Sequence, residues 1–198
     1  MGWAKFQNTL SSGAMGMKVD LSEERCQAAV NLYRSRNYNV KILWAKMDVV
    51  ILAMLTNTSH QESSLGPIKY GKGYIRLPNG LFLQYYGLHG EVEARRDNLV
   101  VREATYLTRM GKAKIYGGLL TENVVQALSR CIIGEQILKV SEKYRVVTTT
   151  HDEIVAICKK KDADKCLADM LEIMSTPPDW APDLPLAAEG GYDVNYSK

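Results

Sequence analysis

Apolar residues recur at helical spacing over two early stretches of the chain. Ser22 followed by Glu23 and Glu24 reads as a helix start, a hydroxyl cap with acids in the first turn. Cys26, Ala29, Val30 and Tyr33 then share one face. After Asn39, the residues Val40, Leu43, Trp44, Met47, Val50, Ile51 and Met54 repeat with the same period and predict a second helix packed on the first. Residues 3–10 predict a short helix, broken at Gly13 and Gly16. The pattern loosens through Asn57, Thr58, Ser59, Gly66 and Pro67. Tyr74, Ile75, Arg76 and Leu77, then Asn79–Gly80, then Leu81, Phe82 and Leu83 predict a hairpin, since Asn-Gly between apolar runs is a strong turn signal.

Residues 91–98 mix both charges and read as a solvated connection. A strand pair around 99–107 and 112–116 is expected to end at Gly117–Gly118. Thr121 is expected to cap the next helix, with Val124, Leu128, Ile132 and Glu135 along one side. Gln126 and Arg130, four residues apart, share another side near Asn123. Two β-prone runs then flank His151, Asp152 and Glu153: Arg145 to Thr150 before them and Ile154 to Ile157 after. Asp162 can cap a last helix, with Leu167, Met170, Leu171 and Met174 inward. Pro177, Pro178, Pro182 and Pro185 enforce an extended segment, and Leu186 to Glu189 reads as a closing strand. Helices and hairpins in this order indicate an α+β fold.

At 198 residues with 46% hydrophobic content, the chain can bury a real core as one domain or a large part of one. Its net charge of +3 is a weak pointer to a polyanionic partner. Cys26, Cys131, Cys158 and Cys166 form no CxxC pair and read as reduced thiols. Neither they nor the scattered His60, His89 and His151 suggest a zinc site. No leader precedes the body and no apolar run is long enough to span a membrane, so a cytoplasmic protein is expected.

The chemistry concentrates at His151-Asp152-Glu153. A tight strand–turn–strand would hold the two carboxylates rigidly at a surface edge, where they repel unless a cation or a basic partner is near. Mg2+ suits such a place, because it takes oxygen ligands and leaves room for phosphate oxygens. Taken alone, the tripeptide reads first as an ordinary polar hairpin tip, and Gln126 with Arg130 as a solvated helix face.

Four stretches change that reading. They are Met1-Gly2-Trp3-Ala4-Lys5-Phe6-Gln7, Gly73-Tyr74-Ile75-Arg76-Leu77-Pro78-Asn79-Gly80, Tyr116-Gly117-Gly118 through Ala127, and Val146 to Ile154. In that order they resemble the C-terminal palm and partial fingers portion of a family A (Pol I-like) DNA polymerase of the phage-encoded sort. The tail from Pro178 to Gly190 shares the likeness, which covers essentially the whole chain.

The resemblance implies an antiparallel palm-type sheet with the His-Asp-Glu hairpin at its centre, backed by helices, and two N-terminal helices standing off as partial fingers. It divides the chain into a fingers region, 1–70, and a palm-type region, 71–198. It implies that Asp152 is a metal-binding carboxylate and that Glu153 beside it supports the primer end or the metal. His151 would contact the primer strand near its end. Gln126, with Arg130 and near Asn123, would hydrogen-bond in the minor groove, where acceptors of all base pairs occupy similar positions. The cofactor implied is Mg2+ in a two-ion site of which this chain holds one side. The partners implied are primer–template DNA and dNTPs.

Family A catalysis needs a second aspartate and a triphosphate-gripping helix, both expected upstream of Met1. One aspartate with a neighbouring Glu cannot readily hold two ions about 3.5–4 Å apart. The reading preferred from sequence is therefore a nucleotidyltransferase part that needs a separate N-terminal polypeptide, or self-association, for activity. An inactive remnant that folds and binds DNA weakly is the alternative. An independent metal-dependent phosphohydrolase using Asp152 and Glu153 is a distant third. Exposed apolar surface is expected where the missing part would dock.

Overall fold

The structure, a computed structural model, describes residues 2–14, 16–59, 61–95 and 98–196. Met1, His60, Arg96 and Asp97, which entered the sequence reading, lie outside the described residues.

Three helices open the chain: α1 (Trp3–Ser11), α2 (Glu23–Arg36) and α3 (Tyr38–Thr56). Ser22 caps α2 by accepting from Arg25 N at 3.4 Å. Only Cys26 of the expected α2 stripe is buried; Ala29 and Tyr33 face solvent. The α3 stripe is a core stripe. Met47, Val50, Ile51 and Met54 are buried, and each such side chain is worth about 1.5–3 kcal/mol when removed from water.

Nine strands follow in three antiparallel sheets among the described residues. The first contains β1 (Ser63–Leu65), β2 (Ile68–Gly71), β3 (Tyr74–Arg76) and β4 (Phe82–Gln84) in chain order. The Asn79–Gly80 turn joins β3 to β4 as expected, with Gly80 at φ 83°. Glu62 fastens the start of this sheet to β3 by accepting from Tyr74 Oη at 3.2 Å and from the Arg76 guanidinium. The second sheet holds β5 (His89–Arg95), β6 (Asn98–Thr108) and β7 (Gly111–Lys114). The third holds only β8 (Arg145–Thr150) and β9 (Glu153–Ile157). Between the second and third sheets runs α4 (Gly117–Ser141). After β9, one 3-10 turn, Lys160–Asp162, leads into α5 (Ala163–Ser175).

One buried cluster joins α3 to Ile68 and Ile75 of the first sheet, Ala104 of β6, and Leu120, Val124 and Cys131 of α4. The fold class is thus α+β with antiparallel sheets, and several expectations need correction. The His-Asp-Glu hairpin is a two-stranded sheet of its own, not the centre of a larger one. Helix α3 does not stand off, because its apolar stripe is in the shared core. Residues 89–95 are a strand, not a solvated connection. Thr121 is inside α4; its hydroxyl donates to Gly117 O at 2.7 Å, and the helix starts at Gly117. Asp162 precedes α5 without a side-chain capping bond. Residues 186–189 form no strand. No helix among the described residues is long and apolar enough to cross a membrane.

Candidate functional site

Strand propensity sets the hairpin. Val146, Thr148 and Thr149 on β8 pair with Ala156, Val155 and Ile154 on β9. A two-stranded hairpin alone is marginal in water. Here Ile154 is buried and β8 lies against α4. A bulge between Val146 and Thr148 interrupts the ladder.

Thr150 pairs with Glu153, so the connection is two residues, His151 and Asp152. Glu153 is therefore the first rung of β9, whereas the sequence placed all three residues in the turn. His151 has φ 53°, and Asp152 is not in the positive region. That sign pattern belongs to a type II′ turn, where glycine is the usual first residue. The closing pair and the flanking ladders hold a strained histidine at the tip. His151 and Asp152 are exposed; Glu153 is half-buried. Tyr196 Oη donates to Glu153 Oε1 and Oε2 at 3.2 and 3.1 Å.

Helix α4 carries the other candidates. Gln126 is exposed, and its Nε2 donates to Glu122 Oε1 at 3.5 Å. Arg130 is exposed and takes part in none of the ion pairs among the described residues. Glu122, Gln126 and Arg130 thus form a solvent-facing row at four-residue spacing. Asn123 turns the other way. Its Nδ2 donates to Tyr85 Oη at 3.2 Å, beside the core. Burial pushes the Tyr85 phenol up, partly offset by the Asn123 bond. The structure therefore gathers His151, Asp152 and Glu153 at one turn and Gln126 with Arg130 on one helix row. The two groups stand on neighbouring elements, since β8 packs against α4.

The start of α4 is fixed by Asp48, which sequence reading passed over, and by Gly117. Asp48 on α3 accepts from Gly117 N at 2.6 Å, a carboxylate at a helix N-terminus. A Cβ on Gly117 would lie 2.0 Å from Trp44 O, so only glycine permits this approach of α4 to α3. A lone Asp inside an apolar helical stripe was the available signal. Tyr196 had none, since the tail has no periodic pattern.

The donors here are carboxylate oxygens, the kind that Mg2+ takes. Asp152 offers an exposed carboxylate, and Glu153 offers one already bonded to Tyr196. Among the described residues no three His, Cys, Asp or Glu side chains gather to hold an ion. A two-ion site would need at least one further carboxylate from outside this set.

By fold and site, then, this is an α+β chain that presents a histidine and two carboxylates at a hairpin beside a long helix. Across an alignment of 197 positions that covers 96% of this chain, it is 27% identical to a DNA polymerase of Bacillus phage SP02. It spans about 30% of the length of that relative. No family model matches the sequence, and no solved structure matches it.

Proposed function

We propose that this chain is the C-terminal palm and partial fingers part of a phage-type family A DNA polymerase. It would contribute one wall of the site for template-directed nucleotidyl transfer. The observation that carries this is the likeness, over nearly the whole chain, to a phage DNA polymerase. The order of the four family-like stretches and the placing of His151, Asp152 and Glu153 at one hairpin support it.

In this role Asp152 is the metal-facing carboxylate and Glu153 its neighbour at the primer end. The Mg2+ such an enzyme uses would be held jointly with a carboxylate from the remaining polymerase region. His151 meets the primer strand. Gln126 and Arg130 face the minor groove from the exposed row of α4, where Gln and Arg can sense pair shape without reading sequence. Asn123, bonded to Tyr85, steadies α4 from inside. The division at residue 70 is one of family topology, since the buried cluster draws on both sides of it. Exposed apolar side chains on the hairpin (Val147, Ile157) and on α2 and α3 (Leu32, Tyr38, Val49) offer places for the rest of the enzyme to cover.

The assembled enzyme is this chain together with that remaining region, on the same or a separate polypeptide. With primer–template, Mg2+ and four dNTPs, it should extend the primer, and the 198-residue chain alone should not. Robust extension by the purified chain alone would overturn the half-site argument. An assembled enzyme that is inert while the chain still binds DNA would favour the inactive remnant.

A further inference from the structure

After α5 the chain stays on the protein surface. Pro177, Pro178, Pro182 and Pro185 stiffen it. Trp180 packs on the core cluster, and its Nε1 donates to Glu135 Oε1 on α4 at 2.8 Å. Gly190 lies against α5, where an added Cβ would be 3.1 Å from Leu167 Cδ1. Tyr192 Oη donates to Asp164 Oδ1 at 2.6 Å. The path ends with Tyr196 on Glu153, 43 residues back in sequence.

We propose that residues 176–196 form a strap over α4 and α5, and that Tyr196 is a positioning residue for the Glu153 carboxylate. The positioning role rests on the polymerase reading. Asp152 and Glu153 are adjacent like charges, and each hydrogen bond to Glu153 narrows the rotamers that its long side chain can sample. A phenol donating to both oxygens fixes Glu153 without adding charge, and it leaves Asp152 open to solvent. The pins at Trp180, Gly190 and Tyr192 lower the ordering cost of the last contact, because most of the tail is already placed.

Two readouts test this. Fluorine NMR of the full chain, with a fluorotyrosine at position 196, reports docking without any reaction. The resonance should differ from its position in the urea-unfolded chain. Glu153→Ala should return it there, whereas Glu142→Gln, a change at an exposed carboxylate on the end of α4, should not. The second readout is steady-state primer extension by the assembled enzyme. Tyr196→Phe should lower kcat about threefold to tenfold with nucleotide KM unchanged, as loss of one hydrogen bond implies. In the Glu153→Ala background it should cause no further loss. A resonance indifferent to Glu153→Ala overturns the strap contact. A responsive resonance with unchanged kcat in Tyr196→Phe overturns the positioning role. If the wild-type assembled enzyme makes no DNA, the polymerase reading falls and the positioning role with it. The NMR result still decides whether the strap docks.

Discussion

At φ 53°, His151 occupies a backbone region that costs a non-glycine residue about 1–3 kcal/mol unless its surroundings hold it there. His151→Gly should therefore leave the unfolding free energy unchanged or raise it by up to about 1 kcal/mol, the relief being offset by glycine's larger unfolded-state entropy. His151→Val should lose at least about 1 kcal/mol, because a β-branched side chain resists positive φ. Urea unfolding of the two variants measures both; a strongly destabilised glycine variant would show that the imidazole is structural. The turn was legible in the sequence because β-branched runs bracket a polar tripeptide. Its length was not, since nothing in the residue types says that Glu153 joins the ladder. The inward turn of Asn123 was hidden for a related reason: its partner, Tyr85, is 38 residues away.

Among the elements, the junction of α3 and α4 makes the sharpest demand on sequence. Gly117→Ala should cost about 3 kcal/mol or more, since the new Cβ would meet the backbone oxygen of Trp44. Asp48→Ala should cost about 1 kcal/mol by removing the acceptor of the Gly117 N–H. Denaturant midpoints check both, and a Gly117→Ala variant of wild-type stability would contradict the close approach. The start of β8 is tied to α5 through Asp169. Hydrogen bonds from Lys165 and Tyr144 hold its carboxyl down at about 2, below the ordinary 3.8. This contribution is present above pH 3.8 and is lost as pH falls through about 2. The same bond pushes Tyr144 up to about 12 from 10.0, so its contribution holds below pH 10.0 and is lost as pH rises through about 12. Asp169→Asn should flatten stability against pH at both ends, as read from thermal midpoints across the range. Elements with one dominant period were legible, such as α3 and the Asn79–Gly80 hairpin. Strand β5 was not: Glu91, Glu93 and Arg95 alternate with Val92 and Ala94 as strand residues do, but their mixed charge pointed instead to a solvated connection. The start of α4 was missed because Gly117 and Gly118 read as a stop, although Gly117 serves close packing.

For the whole molecule, the α+β class followed from the mixture of helical periods and hairpin signals. The split into three sheets did not. Each sheet pairs only strands that follow one another in the chain, and nothing in the local pattern says that the hairpins do not join into a larger sheet. The single core linking α3, the first sheet and α4 means that the helical start and the strands should unfold together. Tryptophan fluorescence and far-ultraviolet circular dichroism should then give one coincident denaturation transition. Two separated transitions would instead support independent units on either side of residue 70. The central claim is that the hairpin carboxylate works in DNA synthesis, and the most direct measurement is primer extension by the assembled enzyme carrying Asp152→Ala. Synthesis should fall by about 10²–10³-fold or more, the scale of removing one electrostatic stabiliser from a site. The thermal midpoint should stay put, because the side chain is exposed at a turn. Wild-type rates in Asp152→Ala would contradict the account.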